Sequence, residues 1–377
     1  MATCGGRADV FVVGGGPAGL VAAIAARRKG LSVTLADGAG PRIDKPCGEG
    51  LMPETRASLA GLGIALDPSA GYPFKGIRFL RGSKQVSAEF PSGCGMGIRR
   101  PVLHAMLVAR AEECGVRLLW KTPVTGITSG SVEMGEVSIQ ARWIVGADGS
   151  GSRVRKWAGL DAMAMRKQRY ARRRHYAVKP WSDYVEIYWA AGLQAYVTPI
   201  APEEVCVMLI AENPAGATFE RALDALTGLK ARLGDAAPTN RERGAITSMH
   251  TLRHVARGNL ALAGDSSGAV DAITGEGLHL AFEQARALAC AMEAGDLAWY
   301  ERAHRRLARH PARMGKLLLL MGRNPAIQRR TLHMLASHPA LFRDLLRVSA
   351  GQASPLRTLA TSMHFGWEFF TPPSHHT

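Results

Sequence analysis

A glycine-rich turn near the start of the chain restricts the possible folds more than any other feature of the sequence. Three glycines occupy the pattern G-x-G-x-x-G, at Gly14, Gly16 and Gly19. The apolar run 10–13 precedes them, and Pro17 and Ala18 begin an alanine-rich stretch of high helix propensity. A turn of this kind lets the phosphates of a dinucleotide approach backbone N–H groups at a helix N-terminus. Asp37, which ends the next strand-like run, can hydrogen-bond a ribose hydroxyl, so the pattern predicts a dinucleotide-binding βαβ unit within an α/β fold.

The composition excludes several other classes of protein. With 377 residues, 47% of them hydrophobic and 21% charged, the chain is long enough for two domains and differs from disordered or fibrous proteins. Its longest apolar runs fall far short of the roughly 20 residues that span a bilayer, and its N-terminal residues lack the order of a signal peptide. The six cysteines include no C-x-x-C pair, which argues against a disulfide framework or a zinc knuckle. We therefore expect a cytoplasmic protein without a metal site.

Two later strand exits complete a set of three motifs. The apolar run 143–147 ends in Asp148-Gly149, and the run 260–263 ends in Gly264-Asp265. Together with the glycine-rich turn, and in this order, they resemble the fingerprints of the p-hydroxybenzoate-hydroxylase-like flavoproteins. The resemblance implies FAD as the cofactor, in a Rossmann-like FAD-binding domain with an inserted β-sheet substrate domain and a helical C-terminal part. It also implies that Asp265 holds a ribityl or ribose hydroxyl and that Asp148 ties down the loop near the pyrophosphate.

Two further motifs resemble the geranylgeranyl-reductase-related branch of that superfamily. Residues 45–51 have the sequence KPCGEGL and residues 271–278 have DAITGEGL, where Ala272 replaces the proline usual in that branch. The resemblance implies that Cys47 lies near the flavin ring, and that the backbone of residues 275–278 faces the ring at a helix N-terminus. The further cofactor-binding positions that it implies are Arg42, Gly48, Arg100, Val124, Gly275, Gly277 and Leu278. Of these, Arg42 and Arg100 would lie near the phosphate–ribose part of FAD, and Val124 would contact the adenine end.

The motifs and the strand-like runs divide the chain into six segments. The FAD-binding domain takes residues 8–70, 99–160 and 251–295. The substrate domain takes residues 71–98 and 161–250, which carry several strand-like runs. A helical C-terminal region, rich in arginine, takes residues 296–377.

The sequence leaves more than one reaction open. We expect an NAD(P)H- and O2-dependent monooxygenase that hydroxylates an apolar or aromatic small molecule. NAD(P)H would bind only transiently, or a partner protein would deliver the electrons, because the sequence contains no second nucleotide-binding fold. The first alternative is flavin-dependent reduction of a carbon–carbon double bond in a prenyl or polyketide-like lipid, although residues 194–199 depart from the Y-x-W-x-F-P stretch of the reductase branch. A second alternative, from a different functional class, is a nucleotide-binding protein that catalyses no reaction.

Three residues are candidates for catalysis. Cys47 follows from the resemblance to the reductase branch. Glu186 and Tyr188 alternate along a strand-like run, so they share one face of a sheet. There they could position or deprotonate a phenolic substrate, while the alternative is a structural role in the sheet.

Positive charge accumulates towards the C-terminus. The chain has 47 Lys and Arg against 31 acidic residues, a net charge of +16, and arginines recur through residues 302–347. We expect these helices to pack on the FAD-binding domain with a charged outer face. The alternative is a basic amphipathic surface that contacts an anionic membrane. Nucleic acid is not an expected partner, because no nucleic-acid-binding module accompanies the charge.

Overall fold

The protein is a mixed α/β molecule, and the computed structural model describes residues 3–128, 130–161, 168–213, 218–269, 275–349, 352 and 354–370. The strands in these ranges are β1 (Thr3–Val13), β2 (Val33–Asp37), β3 (Gly50–Leu51), β4 (Tyr72–Phe74), β5 (Gly76–Arg81), β6 (Lys84–Glu89), β7 (Gly95–Gly97), β8 (Arg117–Trp120), β9 (Gly126–Thr128), β10 (Ser131–Met134), β11 (Val137–Gly146), β12 (Gln168–Tyr176), β13 (Tyr184–Ala190), β14 (Leu193–Ala201), β15 (Glu204–Ala211), β16 (Arg243–Ser248), β17 (His250–Thr251), β18 (Ala256–Arg257), β19 (Leu260–Leu262) and β20 (Gly268–Ala269). The α-helices are α1 (Pro17–Arg28), α2 (Pro53–Gly61), α3 (Arg100–Glu113), α4 (Arg153–Trp157), α5 (Phe219–Ala225), α6 (Thr227–Leu233), α7 (Gly277–Ala294), α8 (Leu297–Arg323), α9 (Pro325–Ser337), α10 (Pro339–Ser349) and α11 (Pro355–Phe370). Residues 271–274, the first half of the second reductase-like motif, lie outside the described residues.

The glycine-rich turn follows a central strand of the first sheet. This sheet has the order β18-β19-β11-β1-β2-β8, with β10 paired to β11 and β9 paired to β10. β1 runs parallel to both β2 and β11, and β19 is parallel to β11. Strands of a parallel sheet are buried on both faces, as the apolar run of β1 requires. The predicted Rossmann-like fold is confirmed, and its three motifs follow the carboxyl ends of β1, β11 and β19, where such sheets bind ligands.

Small side chains allow two helices to pack closely beside the first sheet. α1 packs against α7, and α1 also contacts α3 and β1. The core in this region includes the buried residues Ala22, Ala26, Ala285 and Ala289. Alanine combines high helix propensity with a small side chain, so the alanine-rich sequence of α1 serves both the helix and its packing.

The second sheet combines two distant parts of the chain. Its order is β16-β12-β15-β14-β13-β5-β6, and all pairs are antiparallel except β13 with β5. β5 and β6 fall within the segment 71–98, and β12 to β16 fall within the segment 161–250. The turn between β5 and β6 includes Gly82 at φ 58°, a backbone conformation that favours glycine.

A small three-stranded sheet, β3-β7-β4, places residues 45–51 against the second sheet. A Cβ atom on Gly97 of β7 would lie 1.8 Å from the carbonyl oxygen of Pro199 in β14, so only glycine allows this approach. The Thr198 hydroxyl of β14 donates to the Gly48 carbonyl at 2.7 Å. The first reductase-like motif is therefore fixed between the two large sheets.

The C-terminal helices divide between the two parts of the molecule. α8 contacts α7 and β18 of the FAD-binding domain, as expected, whereas α9 and α10 cover the second sheet, which corrects the expectation for those two helices. Only the start of α8 joins the first core, through Leu297 and Tyr300. Side chains of α9 and α10 instead pack with the second sheet, among them Leu332, Leu335, Leu341 and Phe342. Apolar periodicity along a helix shows where the helix is apolar, but it does not indicate which surface of the protein that face covers. None of the helices in the described ranges combines the length and hydrophobicity needed to cross a membrane.

Candidate FAD and substrate site

The opening turn leaves an open space at one of its three motif glycines. Gly14 has φ 112°, and a Cβ atom there would lie 2.4 Å from the Ala147 carbonyl oxygen. A Cβ on Gly19 would lie 1.9 Å from the Gly14 carbonyl oxygen. At Gly16, the N-cap of α1, a Cβ would meet no described atom within 4 Å. The first and third glycines are required by packing, whereas the second borders space that a diphosphate can occupy.

Asp37 and a histidine stabilise the same turn. The Asp37 carboxylate accepts hydrogen bonds from the N–H groups of Gly15 at 2.6 Å and Ala39 at 2.7 Å. His104, fully buried in α3, has Nε2 2.8 Å from the Gly15 carbonyl oxygen, while its Nδ1 accepts from the N–H of Arg42 at 3.2 Å. Burial lowers the pKa of His104, so the ring is neutral and its Nε2–H donates to Gly15. The predicted ribose contact of Asp37 uses the lone pairs that these bonds leave available.

The other motif residues surround this turn at the end of the first sheet. Asp148 accepts from the Ser152 hydroxyl at 2.5 Å and from two N–H groups at the start of α4, so it holds its own loop in place. Gly264, at φ 64°, packs on α1, where a Cβ atom would lie 2.7 Å from the Cβ of Ala18. Asp265 follows it with an exposed side chain. An exposed carboxylate beside the helix N-terminus fits the predicted contact with a hydroxyl of the cofactor.

Arg42, Arg100 and Val124 occupy three different environments. Arg42 is exposed and has φ 66° in the loop that His104 anchors. Arg100 begins α3, and its N–H donates to the Glu49 carboxylate at 2.9 Å. The side chain of Val124 is buried in the core behind β1 and β2. The contacts of all three with FAD stay predictions.

The two reductase-like motifs meet beside the second sheet. The methyl carbon of Met52, which follows β3, lies 3.5 Å from the position of a Cβ on Gly275. Gly275 has φ 67°, Glu276 is the N-cap of α7, and Gly277 and Leu278 form its first turn. Met52, next to the first motif, therefore lies close to Gly275 of the second motif. That both motifs face the flavin ring stays a prediction.

A buried ion-pair cluster anchors the loop of Cys47. Arg173 donates to both carboxylate oxygens of Asp44 at 2.9 Å, and also to Glu49 at 2.9 Å. His175 Nε2 lies 2.6 Å from the other Glu49 oxygen. Because Nδ1 of His175 faces the side-chain donors of Arg99 and Asn240, it accepts, and Nε2–H donates to Glu49.

Cys47 lies at the edge of this cluster. Its sulfur accepts from the Glu49 N–H at 3.4 Å, and its carbonyl faces the Cys206 thiol at 3.7 Å. Donor atoms of Glu49, His175 and Cys206 all lie within 4.8 Å of one another, close enough to surround a metal ion. The Arg173 guanidinium on Glu49 opposes a cation there, so the geometry favours a hydrogen-bonded anchor for the Cys47 loop.

An apolar cavity of about 150 Å³ lies between the second sheet and the C-terminal helices. The sheet side is lined by Ile77, Phe79, Val185, Ile187, Trp189 and Tyr196. The helix side is lined by residues of α8 to α11, including Leu318, Leu332, Leu345 and Phe365. Met52, Gly275 and Glu276 border one part of it, so the cavity adjoins the space between the two reductase-like motifs. The cavity therefore lies beside the predicted position of the flavin ring.

Among the described residues that line this cavity, Glu276 is the one carboxylic acid. Burial, with a smaller contribution from the like charge of Glu54, raises the pKa of Glu276 to about 7. Burial also raises the pKa of Glu54. Near neutral pH a large share of Glu276 is therefore protonated and can donate a proton.

The structure does not bring Glu186 and Tyr188 to the cavity. They share a sheet face as expected, and the Tyr188 hydroxyl donates to Glu186 at 2.7 Å. Their neighbours Ile187 and Trp189 line the cavity, so alternation along β13 directs Glu186 and Tyr188 to the opposite face. Glu186 is buried and also accepts from Arg78 and Trp181. This location favours a structural role for the pair over contact with a substrate in the cavity.

The three motifs, the open side of Gly16 and the exposed Asp265 together fit FAD, and they define the class of the protein as an FAD-dependent oxidoreductase. Residues 7–295 match the FAD binding domain family, and the chain belongs to that family. Menaquinone reductase of Mycobacterium tuberculosis is 26% identical over 320 residues, which cover 77% of this chain and 78% of the relative. Digeranylgeranylglycerophospholipid reductase of Methanothrix thermoacetophila is 36% identical over 171 residues, 41% of this chain and 42% of the relative.

A protein that carries out a different reaction has the same fold. The structure of the flavin-dependent brominase Bmp2 superposes with a TM-score of 0.79 at 18% identity, covering 95% of this chain and 99% of that one. This similarity shows the fold alone. The reaction must therefore be inferred from the site.

Several residues of the site were missed by the sequence analysis. The sequence analysis did not identify Arg173 and His175, and it included Glu49 only within the motif of residues 45–51. Alternation along β12 was the available signal, since Ala171, Arg173 and His175 are all buried. His104 and most of the residues that line the cavity carried no local signal, because their partners come from distant parts of the chain.

Proposed function

We propose that the protein reduces a carbon–carbon double bond in a long apolar substrate, with FAD as the electron carrier. The observation that carries this proposal is the apolar cavity beside the turn at Gly275, where Glu276 is the one carboxylic acid among the described lining residues. Two relatives are reductases by name, one of menaquinone and one of digeranylgeranylglycerophospholipid, which supports the same choice. Because residues 194–199 depart from the Y-x-W-x-F-P stretch of the reductase branch, the proposed substrates include polyketide-like as well as prenyl chains.

Each part of the chain has a distinct task in this reaction. When bound, FAD supplies a hydride equivalent to one carbon of the double bond. The apolar walls exclude water and hold the substrate, and Glu276 donates a proton to the second carbon. One hydride and one proton are added, the cofactor is oxidised, and an external donor must reduce it again. NAD(P)H and an electron-transfer protein are both proposals for that donor.

The ion-pair cluster has a positioning role in this proposal. Glu49 has φ 58°, a conformation that few non-glycine residues adopt, and the bonds from Arg173 and His175 hold its side chain. The backbone between Cys47 and Gly50 is thereby fixed at one side of the site. Cys47 itself stays a proposed contact of the flavin ring.

Hydroxylation is the second candidate, because an apolar cavity also suits reaction of a reduced flavin with dioxygen. A single-turnover experiment distinguishes the two reactions. The FAD-loaded protein is reduced with dithionite without oxygen and mixed with a detergent-dispersed polyprenyl alkene. The proposal predicts reoxidation of the flavin together with a product that has gained two hydrogens. A product that forms only when 18O2 is admitted, and that contains the label, would establish hydroxylation instead.

The proton donor has a specific pH signature. Because Glu276 must be protonated, the single-turnover rate should fall as pH rises through about 7. Glu276→Gln should reduce the rate at pH 6 by about 100-fold or more and remove this dependence on pH. Glu54→Gln is the matched variant, because removing the like charge lowers the pKa of Glu276. It should retain most of the rate at pH 6 and move the fall to lower pH.

Two controls accompany the measurement. FAD content is determined for each variant, so that loss of the cofactor is not mistaken for loss of the proton donor. Glu276→Gln with the wild-type rate and pH profile would disprove the assigned proton donor. The proposed alkene reduction would still be supported if the product gained two hydrogens.

A further inference from the structure

The last helix is apolar on two opposite faces. Phe365 lines the cavity, and Phe369 packs in the same core, so this face of α11 is directed inward. Leu356, Met363 and Trp367 are 81%, 67% and 72% exposed. Their spacings of seven and four residues place all three on one side of the helix, and that side is about opposite to Phe365. Core packing explains the inner face but gives no reason for the outer one.

The exposed face of α8 is basic. Met314 and Leu318 of α8 line the cavity. Helical spacing places a row of exposed cations on the other side of α8, formed by Arg302, Arg305, Arg306, Arg309, Arg313 and Lys316. Leu320, 55% exposed, continues this row one turn after Lys316. Residues 297–370 contain 12 Lys and Arg against three acidic residues, so the C-terminal helices carry a large share of the net charge of +16.

The positive charge of the C-terminal helices indicates what kind of partner covers the outer face of α11. Two copies of the chain that met through the outer face of α11 would bring two strongly positive regions together, and this repulsion opposes a dimer. An anionic bilayer instead attracts each nearby Lys or Arg by about 1 kcal/mol. Tryptophan is also enriched at the membrane–water interface, where the ring is partly buried and partly hydrated.

We propose that the outer face of α11, formed by Leu356, Met363 and Trp367, inserts into the surface of an anionic bilayer, assisted by the basic row of α8. The helix would lie in the interface and not cross it. Because the inner face of α11 lines the cavity, an apolar substrate dissolved in the bilayer would lie close to its binding site. Only this last consequence rests on the proposed function.

Vesicle binding tests the proposal without any activity measurement. The FAD-loaded protein is sedimented with vesicles of phosphatidylcholine alone, and with vesicles that contain about one third phosphatidylglycerol. We expect binding to the anionic vesicles that weakens at high salt. Met363→Glu together with Trp367→Glu should reduce the partition coefficient by about tenfold or more. Both side chains are exposed, so the double variant should keep the FAD content and unfolding midpoint of the wild type.

A matched control lies elsewhere on the surface. Ile246 is 58% exposed on β16, at the opposite edge of the second sheet from β6, against which α9 and α10 pack. Ile246→Glu should leave vesicle binding unchanged. The proposal would be overturned by no binding of the wild type, by equal binding of the double variant, or by equal binding to both kinds of vesicle. A wild-type dimer in light scattering that the double variant abolishes would identify a second copy as the occupant.

Discussion

Buried histidines hold two of the turns that border the FAD site. His104 anchors the glycine-rich turn, as its bonds to Gly15 and Arg42 show. His304 of α8 has Nε2 2.9 Å from the Ser267 hydroxyl, which itself donates to the Gly264 carbonyl at 2.8 Å. Both rings are buried, so each turn depends on a neutral imidazole.

His304 makes the stability of the protein depend on pH. Burial lowers its pKa from 6.5 to about 4. Between these values the unfolded chain binds the proton more tightly, so this contribution to stability is complete above pH 6.5 and is lost as pH falls towards 4. The shift corresponds to about 3 kcal/mol in the free energy of unfolding. His304→Asn should therefore flatten the dependence of the urea midpoint on pH between 6.5 and 4.

His333 provides the control for this prediction, because it is exposed on α9. His333→Asn should keep the slope of the wild type, since acidic residues that titrate in the same range remain unchanged. A slope in His304→Asn equal to that of the wild type would show that the ring accepts a proton in the folded protein.

The sequence predicted the motif residues but not the buried histidines that hold the motif turns in place. The motif glycines and Asp37 were found because a strand, a turn and a helix follow one another within about 30 residues. The partners of His104 and His304 lie 89 and 37 residues away in the chain, so no local pattern could have identified them.

At the scale of elements, β12 joins the two halves of the site. Its inner face carries Arg173 and His175, which bind the loop of residues 44–49. Its outer face carries Arg172 and Arg174, which pair with Glu242. The alternation was visible in the sequence. The sequence did not show which face of β12 is buried, because the loop that covers this face lies more than 120 residues earlier in the chain.

The two faces of β12 should respond differently to mutation. Arg173→Leu leaves the carboxylates of Asp44 and Glu49 without their buried cation, and breaking a buried pair of this kind costs about 3–5 kcal/mol. Arg172 is 38% exposed, so Arg172→Leu should cost less than about 1 kcal/mol. Urea unfolding of the FAD-loaded proteins measures both values. Equal losses in the two variants would contradict the structural role assigned to the cluster.

At the scale of the whole molecule, the cavity exists because three parts of the chain meet. The second sheet forms one wall, α8 to α11 form the other, and the FAD domain contributes Gly275 and Glu276. The sequence predicted the two-sheet architecture, since strand-like runs and motifs follow in the expected order. It did not predict this cavity, because periodicity gives the apolar face of a helix but not the surface that this face covers.

The central claim is that FAD lies with its diphosphate against the opening turn, and FAD binding by Gly16→Val tests it most directly. A Cβ atom at Gly16 would meet no described atom within 4 Å, so the variant should fold normally while its methyl groups occupy the space for the diphosphate. Gly228→Val is the control, an exposed position on α6 that is equally open. Titration of the apoproteins with FAD should show affinity reduced by about 100-fold or more in Gly16→Val and unchanged in Gly228→Val. Wild-type affinity for FAD in a correctly folded Gly16→Val protein would contradict the account.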